Sequence, residues 1–372
     1  MQNPEPFFRF IVDYCSTHDP QSVNTMIKTK AYAAHDASSP LSGWNFERRD
    51  PGPKDVQFDI LYCGVCHTDI HQVRNEWGGS IYPMVPGHEI VGRVTKIGNE
   101  VTKFKVGDLA GVGCLVDSCR HCDNCAEGLE QYCLNGNSPT YNGREQDKKT
   151  ITYGGYSKLM VADEDFVLRI SDKLSLQAVA PLLCAGITTY SPLKPWRVGK
   201  GHKVGILGLG GLGHMAVKFA VAFGAEVTML SGSPSKEADA KRLGAHKFLL
   251  TKDPEQIKKV NGYFDFIIDT VSAPHDHNIY LGLLKTNGVL ICVGAPPTPT
   301  QILGFNLIAG RKSIAGSLIG GLPETQEMLD YCAANNIVSD VEMINMKDID
   351  TAYERMLKGD VRYRFVIDMA SL

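Results

Sequence analysis

Lys203-Val-Gly-Ile-Leu-Gly-Leu-Gly-Gly-Leu-Gly213 decides how the second half of this chain folds. Five residues of strand character run into Gly-x-Gly-x-x-Gly, and the amphipathic stretch after it reads as a helix. Glycines at such a strand-to-helix turn let a pyrophosphate approach the helix N-terminus, where backbone N–H groups and the helix dipole favour an anion. Downstream, Glu226–Ser231 (EVTMLS), KFLL, FDFIIDTV and GVLICVGA alternate with helical segments. That is the βαβ rhythm of a doubly wound parallel sheet. A carboxylate is expected at the end of the second strand when the ligand carries a free ribose 2′-hydroxyl. Ser231, Ser233 and Lys236 stand there instead, and Glu226 is at the wrong end. Hydroxyls and one ammonium suit a 2′-phosphate, so the loop is read as a site for NADP(H).

Upstream the texture differs. Pro51 to Gly64, Glu89 to Gly98 and Phe104 to Gly113 read as turns and strands punctuated by glycine, with period-two alternation in DVQFDILYC. A short helix is expected from about His67 to Glu76. Residues 134–155 are a polar loop, and LSLQAVAPLLCAGITTYSPL is helical. After about Ser317 the rhythm stops, and one or two helices and a closing strand return to the first half. At 372 residues, two domains are expected.

A net charge of −3 and 21% charged residues give no reason to propose nucleic acid or a membrane surface as partner. Eleven cysteines with tight local spacing argue for metal ligands rather than disulfides, and for a reducing cytoplasm. Residues 1–25 show no element pattern. They are read as a disordered extension ahead of the fold, arising from an upstream start codon, with an ordered N-terminal arm packed on the body as the alternative.

Cys119, Cys122, Cys125 and Cys133 can close a tetrahedron of thiolates around one zinc. The segment between them is too poor in apolar residues to hold its shape through a core, so the metal substitutes for one. Four sulfurs leave no open position, which makes this a structural site.

A catalytic zinc keeps three protein ligands and one open position. The stretch CGVCHTDIHQVRNEWGG, followed by GHE, offers candidates. His88 is the best single ligand, with Glu89 beside it as an outer or alternating ligand. Cys66 sits at a helix N-terminus that favours thiolate, whereas Cys63 lies back in a strand and reads as core. Thr68 and His71 share a helix face beside the metal. A third ligand must come from elsewhere; spacing alone leaves Cys184 balanced between ligand and buried helix cysteine.

CGVCHTDIHQ, YPMVPGHEIVGRV, GVGCLVDSCRHC, PLLCAGITTYSPL, GLGGLGHMAVK, AGSLIGG and DVRYRFVID together resemble the zinc-dependent medium-chain alcohol dehydrogenases. Within these the likeness is to the cinnamyl alcohol dehydrogenase family and its bacterial NADP-dependent aldehyde reductases. It covers the chain from Met26 to the C-terminus; residues 1–25 have no counterpart. It implies an α/β architecture: a GroES-like β-rich catalytic domain (26–184 and 318–372, structural zinc lobe near 114–135) and a Rossmann domain (185–317).

The resemblance also implies two zinc ions per chain. Cys66, His88 and Cys184, with Glu89 close by, hold one; Cys119, Cys122, Cys125 and Cys133 hold the other. Thr68 and His71 carry the proton. Cofactor-binding positions are Thr188, the loop Gly208, Leu209, Gly210, Gly211, Leu212 and Gly213, then Ser231, Ser233, Lys236, Thr270, Gly294, Ser317, Leu318 and Ile319. Leu318 replaces an aromatic of plant members, which weakens the expectation of lignin-type aldehydes. The implied activity is reversible reduction of aldehydes to primary alcohols with NADPH, by a homodimer. The rivals are a zinc-free quinone or enone reductase, which needs none of the three ligands, and a non-enzymatic NADPH-binding protein.

Overall fold

The computed structural model describes residues 26–372. The expectation for residues 1–25 lies outside them.

The strands in chain order are β1 (Met26–Ala33), β2 (Ser42–Arg49), β3 (Asp55–Gly64), β4 (Ile90–Ile97), β5 (Leu109–Val112), β6 (Leu115–Asp117), β7 (Ser138–Pro139), β8 (Leu159–Asp163) and β9 (Leu168–Arg169). Six more are β10 (Lys203–Leu207), β11 (Glu226–Ser231), β12 (Lys247–Leu250), β13 (Phe264–Asp269), β14 (Leu284–Cys292) and β15 (Ser313–Gly316). The chain closes with β16 (Val341–Asn345) and β17 (Arg364–Asp368). Two large sheets result. One runs β16-β17-β3-β4-β5-β9, with β8 also on β3. The other runs β12-β11-β10-β13-β14-β15, parallel at every pairing.

The parallel sheet has the doubly wound order in which strand order reverses beside β10. Its two faces are covered by separate apolar clusters, as an all-parallel sheet requires. The C-terminal tail returns as expected: β17 lies antiparallel on β3, placing Ile367 opposite Cys63.

Two helical expectations are adjusted. The helix expected through Glu76 spans His67–Val73, because Asn75 adopts a left-handed φ of 55° that ends the run. The stretch from Leu176 to Leu193 is four short helical pieces, and the chain breaks at Cys184 (φ −130°, ψ −70°). Among the described residues no helix is long and apolar enough to cross a membrane.

Candidate active site

Cys66 is the N-cap of the helix His67–Val73. Its N–H donates to Asp69 Oδ2 at 2.9 Å. The other oxygen of Asp69 accepts from Gly87 N at 3.1 Å and lies 3.3 Å from His88 Nδ1. One buried carboxylate thus ties the Cys66 turn to the Gly-His-Glu turn, and its charge beside Nδ1, a contact short of hydrogen-bond geometry, favours the ring orientation that turns Nε2 toward Cys184. Metal-bound histidines are commonly oriented in this way. His88 Nε2 is 3.3 Å from Cys184 Sγ, and Cys184 Sγ is 3.9 Å from Cys66 Sγ.

Cys66, His88, Glu89 and Cys184 are all buried, and each offers a ligand atom within 4.8 Å of the others. Zinc–sulfur bonds of about 2.3 Å in a tetrahedron put two thiolates about 3.8 Å apart. The two sulfurs match that edge, so the residues fit a zinc ion with two thiolates and an imidazole. The hydrogen bond with Cys184, then the Arg364 guanidinium against the cost of burial, hold the Cys66 thiol well below its ordinary value. Glu89 is fully buried, and burial pushes its carboxyl up to about 7 while Arg364 pulls the other way. One oxygen pairs with Arg364 Nη2; the other has no hydrogen-bond partner. A Cβ on Gly64 would stand 1.9 Å from that free oxygen, so Gly64 makes room for it.

The second donor set is local. Cys119, Cys122, Cys125 and Cys133 bring four sulfurs within 4.8 Å, with Cys122 and Cys119 at 3.5 and 3.9 Å from Cys125. Backbone N–H groups of Cys119, Cys122 and Leu134 point at these sulfurs at 3.4 Å. His121 turns away, its Nδ1 at 2.5 Å from the Cys119 carbonyl oxygen. The closed set fits a structural zinc.

Thr68 Oγ1 lies 3.6 Å from Cys66 Sγ. One turn on, His71 Nδ1 meets Glu76 Oε2 at 2.5 Å, and its ring stacks on the exposed Trp77 at 4.7 Å. At the glycine loop, a Cβ on Gly213 would stand 1.8 Å from the Gly208 carbonyl oxygen, whereas Gly210 faces open space. Thr270 Oγ1 closes the loop's strand side by donating to Leu207 O at 2.8 Å. Ser231 Oγ accepts from Ser233 N at 3.2 Å, with no acid at that strand end, and Lys236 Nζ is 5.6 Å from the Tyr363 ring. Thr188 follows Cys184 by one turn, its N–H on the Cys184 carbonyl at 2.9 Å. Gly294 N donates to Asp269 O, and Ser317 N to Cys292 O. Leu318 is exposed, and Ile319 carries a φ of 40°.

Four residues were not read from the sequence: Asp69, Glu76, Trp77 and Arg364. Arg364 matters most, because it pairs with Glu89 and also crowds the glycine loop, 2.9 Å from where a Gly211 Cβ would be. It joins the donor cluster to the nucleotide loop. A third group brings two imidazoles onto Asp269: His275 Nε2 is hydrogen-bonded to Oδ2 at 2.8 Å, and His277 Nε2 lies 3.1 Å from the same oxygen.

Residues 52–172 match the alcohol dehydrogenase GroES-like domain, and residues 211–334 the zinc-binding dehydrogenase domain. An NADP-dependent alcohol dehydrogenase C of Mycolicibacterium smegmatis is 56% identical over 348 residues, which is 93% of this chain and 99% of that protein. The chain belongs to the zinc-dependent medium-chain alcohol dehydrogenases. An aldehyde reductase of Escherichia coli is 53% identical over 348 residues, again 93% of this chain and 99% of that protein. Among solved structures, a cinnamyl alcohol dehydrogenase of Sorghum bicolor superposes with a TM-score of 0.90 at 47% identity, covering 92% of this chain and 98% of that one. This medium-chain dehydrogenase therefore falls with the cinnamyl alcohol dehydrogenase family, and the GroES-like plus Rossmann architecture expected of it holds.

Proposed function

We propose that this chain reduces aldehydes to primary alcohols, and oxidises them in reverse, with NADP(H) and a catalytic zinc. The observation that carries the reading is the buried convergence of Cys66, His88 and Cys184 from three separate segments. A zinc-free reductase has no use for it. When bound, zinc, its charge largely balanced by the two thiolates, would polarise the substrate oxygen as a Lewis acid, and the nicotinamide would carry the hydride.

The chain's own residues do the rest. Asp69 orients His88 and holds the Cys66 turn. In reduction Thr68 Oγ1 would give a proton to the product oxygen and be resupplied from the surface through His71, whose Nδ1 rests on Glu76; oxidation would run the same relay outward. Arg364 and Glu89 couple the zinc wall to the glycine loop. The loop Gly208–Gly213 takes the pyrophosphate, Ser231, Ser233 and Lys236 the 2′-phosphate, and Thr188, Thr270, Gly294 and the run Ser317–Ile319 the remaining cofactor contacts. Cys119, Cys122, Cys125 and Cys133 hold the second zinc. Names of the relatives support NADP(H) and an aldehyde or alcohol substrate.

The same reading takes 26–184 with 318–372 as the catalytic domain and 185–317 as the cofactor domain, in keeping with the two sheets. It takes the enzyme as a cytoplasmic homodimer. None of the cysteines among the described residues is in a disulfide, in keeping with a reducing compartment. Leu303, Phe305 and Ile308 lie exposed beside edge strand β15, an apolar rim suited to a second copy. Zinc content measured with NADPH-dependent aldehyde turnover tests the proposal. Turnover without the catalytic zinc contradicts it.

A further inference from the structure

The four-cysteine lobe does more than hold itself together. Between its third and fourth cysteines a 3₁₀ turn, Glu130–Tyr132, faces the segment that follows β15. Tyr132 Oη accepts a hydrogen bond from Leu318 N at 2.9 Å, and Glu130 Oε2 accepts one from Leu322 N at 2.9 Å. Between these two anchors lies Ile319, a β-branched residue at φ 40°. That backbone is costly for such a side chain and persists only where its surroundings over-determine it.

The helix beginning at Leu322 has Gly321 as N-cap and so has no side chain of its own to satisfy its first N–H groups. The Glu130 carboxylate supplies that cap from the lobe, and suits the positive end of the helix. Contact is close: a Cβ on Gly321 would stand 1.7 Å from the Gly128 carbonyl oxygen. Both anchors are therefore carried by the lobe, immediately ahead of the ligand Cys133.

We propose that Glu130 and Tyr132 are positioning residues through which the structural zinc lobe holds Ser317–Leu322 in the conformation that receives the cofactor. The inference rests on the reading above that Ser317–Ile319 face NADP(H). With the anchors removed, the Ile319 strain is released and the segment must be reordered by the cofactor itself. Affinity for NADPH falls, while the zinc-bound site and the chemical step are left in place.

The test uses the full-length, two-zinc enzyme with Tyr132→Phe, Glu130→Ala and the double variant, and with Glu130→Gln, which keeps an acceptor for Leu322 N, as the conservative rescue. The readouts are zinc content, melting temperature, NADPH Kd by nicotinamide fluorescence, and kcat separately from KM for NADPH. Loss of two such bonds is expected to raise Kd and KM about tenfold in the double variant, with less in each single one. Zinc is expected at two per chain, and kcat within about twofold at saturating NADPH. An unchanged Kd in the double variant overturns the proposal. So does a Kd that rises only in samples that have lost zinc, or a kcat that falls with Kd unchanged. If the unsubstituted enzyme fails to bind NADPH, the functional reading itself falls and this inference with it. Normal binding there with unchanged variants sinks this inference alone.

Discussion

Cys63 and Cys66 are three positions apart and both buried, yet their surroundings divide them. Cys63 is in mid-sheet on β3, and burial, then the carboxylates of Asp69 and Glu89, push its thiol well above the usual value. Cys66 stands at a helix N-terminus with its sulfur against Cys184. Cys66→Ser is expected to abolish turnover and drop zinc from two to one per chain. Cys63→Ser is expected to keep both, at a stability cost of about 1–3 kcal/mol for a buried hydroxyl. Activity lost only in the Cys63 variant would show the assignment reversed. Asp69→Asn removes the charge that orients His88, so competition with a chelator should show catalytic zinc held about 10–100-fold more weakly. The four-cysteine lobe was legible because its spacing is local, whereas Cys184 lies 118 positions from Cys66 and came only with the resemblance. Arg364 was not legible, since its partner Glu89 lies 275 positions away and only the folded sheet brings them together. Asp69 was in plain view between Thr68 and His71, but its task of joining two turns depends on Gly87, 18 positions on.

At the scale of elements, the glycine loop and strand β11 carry the cofactor reading. Gly213→Ala would put a methyl group into the Gly208 carbonyl. The helix Gly213–Ala222 must then lift from β10, costing about 1–3 kcal/mol; a lower melting temperature and weakened NADPH binding are the expected measurements. Ser231→Asp would place an acid at the end of β11, where it repels a 2′-phosphate and accepts from a 2′-hydroxyl. The ratio of kcat/KM for NADPH over NADH is expected to fall at least about tenfold, equivalent to about 1.4 kcal/mol. An unchanged ratio argues against a phosphate pocket formed by Ser231, Ser233 and Lys236. Strands here were legible because buried parallel strands are unbroken apolar runs. Helix ends were less so. The break at Cys184 lies inside a continuous apolar stretch, where nothing in the periodicity separates one helix from four short pieces. The stop at Val73 depends on a single left-handed Asn75.

The whole molecule is held as one working unit by charges that cross between the sheets. Lys218 and Arg242 both reach Asp340, while Arg362 and Tyr363 reach Asp239. These contacts fix the tail that carries Arg364 against the nucleotide sheet. The apolar rim beside β15 belongs to the same scale. Phe305→Glu, at a residue 75% exposed, is expected to convert a dimer to monomer by light scattering while leaving the monomer folded. A monomeric unsubstituted enzyme would contradict the homodimer. The central claim is that a three-ligand zinc formed by Cys66, His88 and Cys184 runs NADPH-linked aldehyde reduction. Zinc per chain and NADPH-dependent aldehyde turnover, measured on one purified sample before and after stripping the more labile ion, test it most directly. Two zincs falling to one with turnover lost is the result expected; one zinc per chain with turnover retained would contradict it.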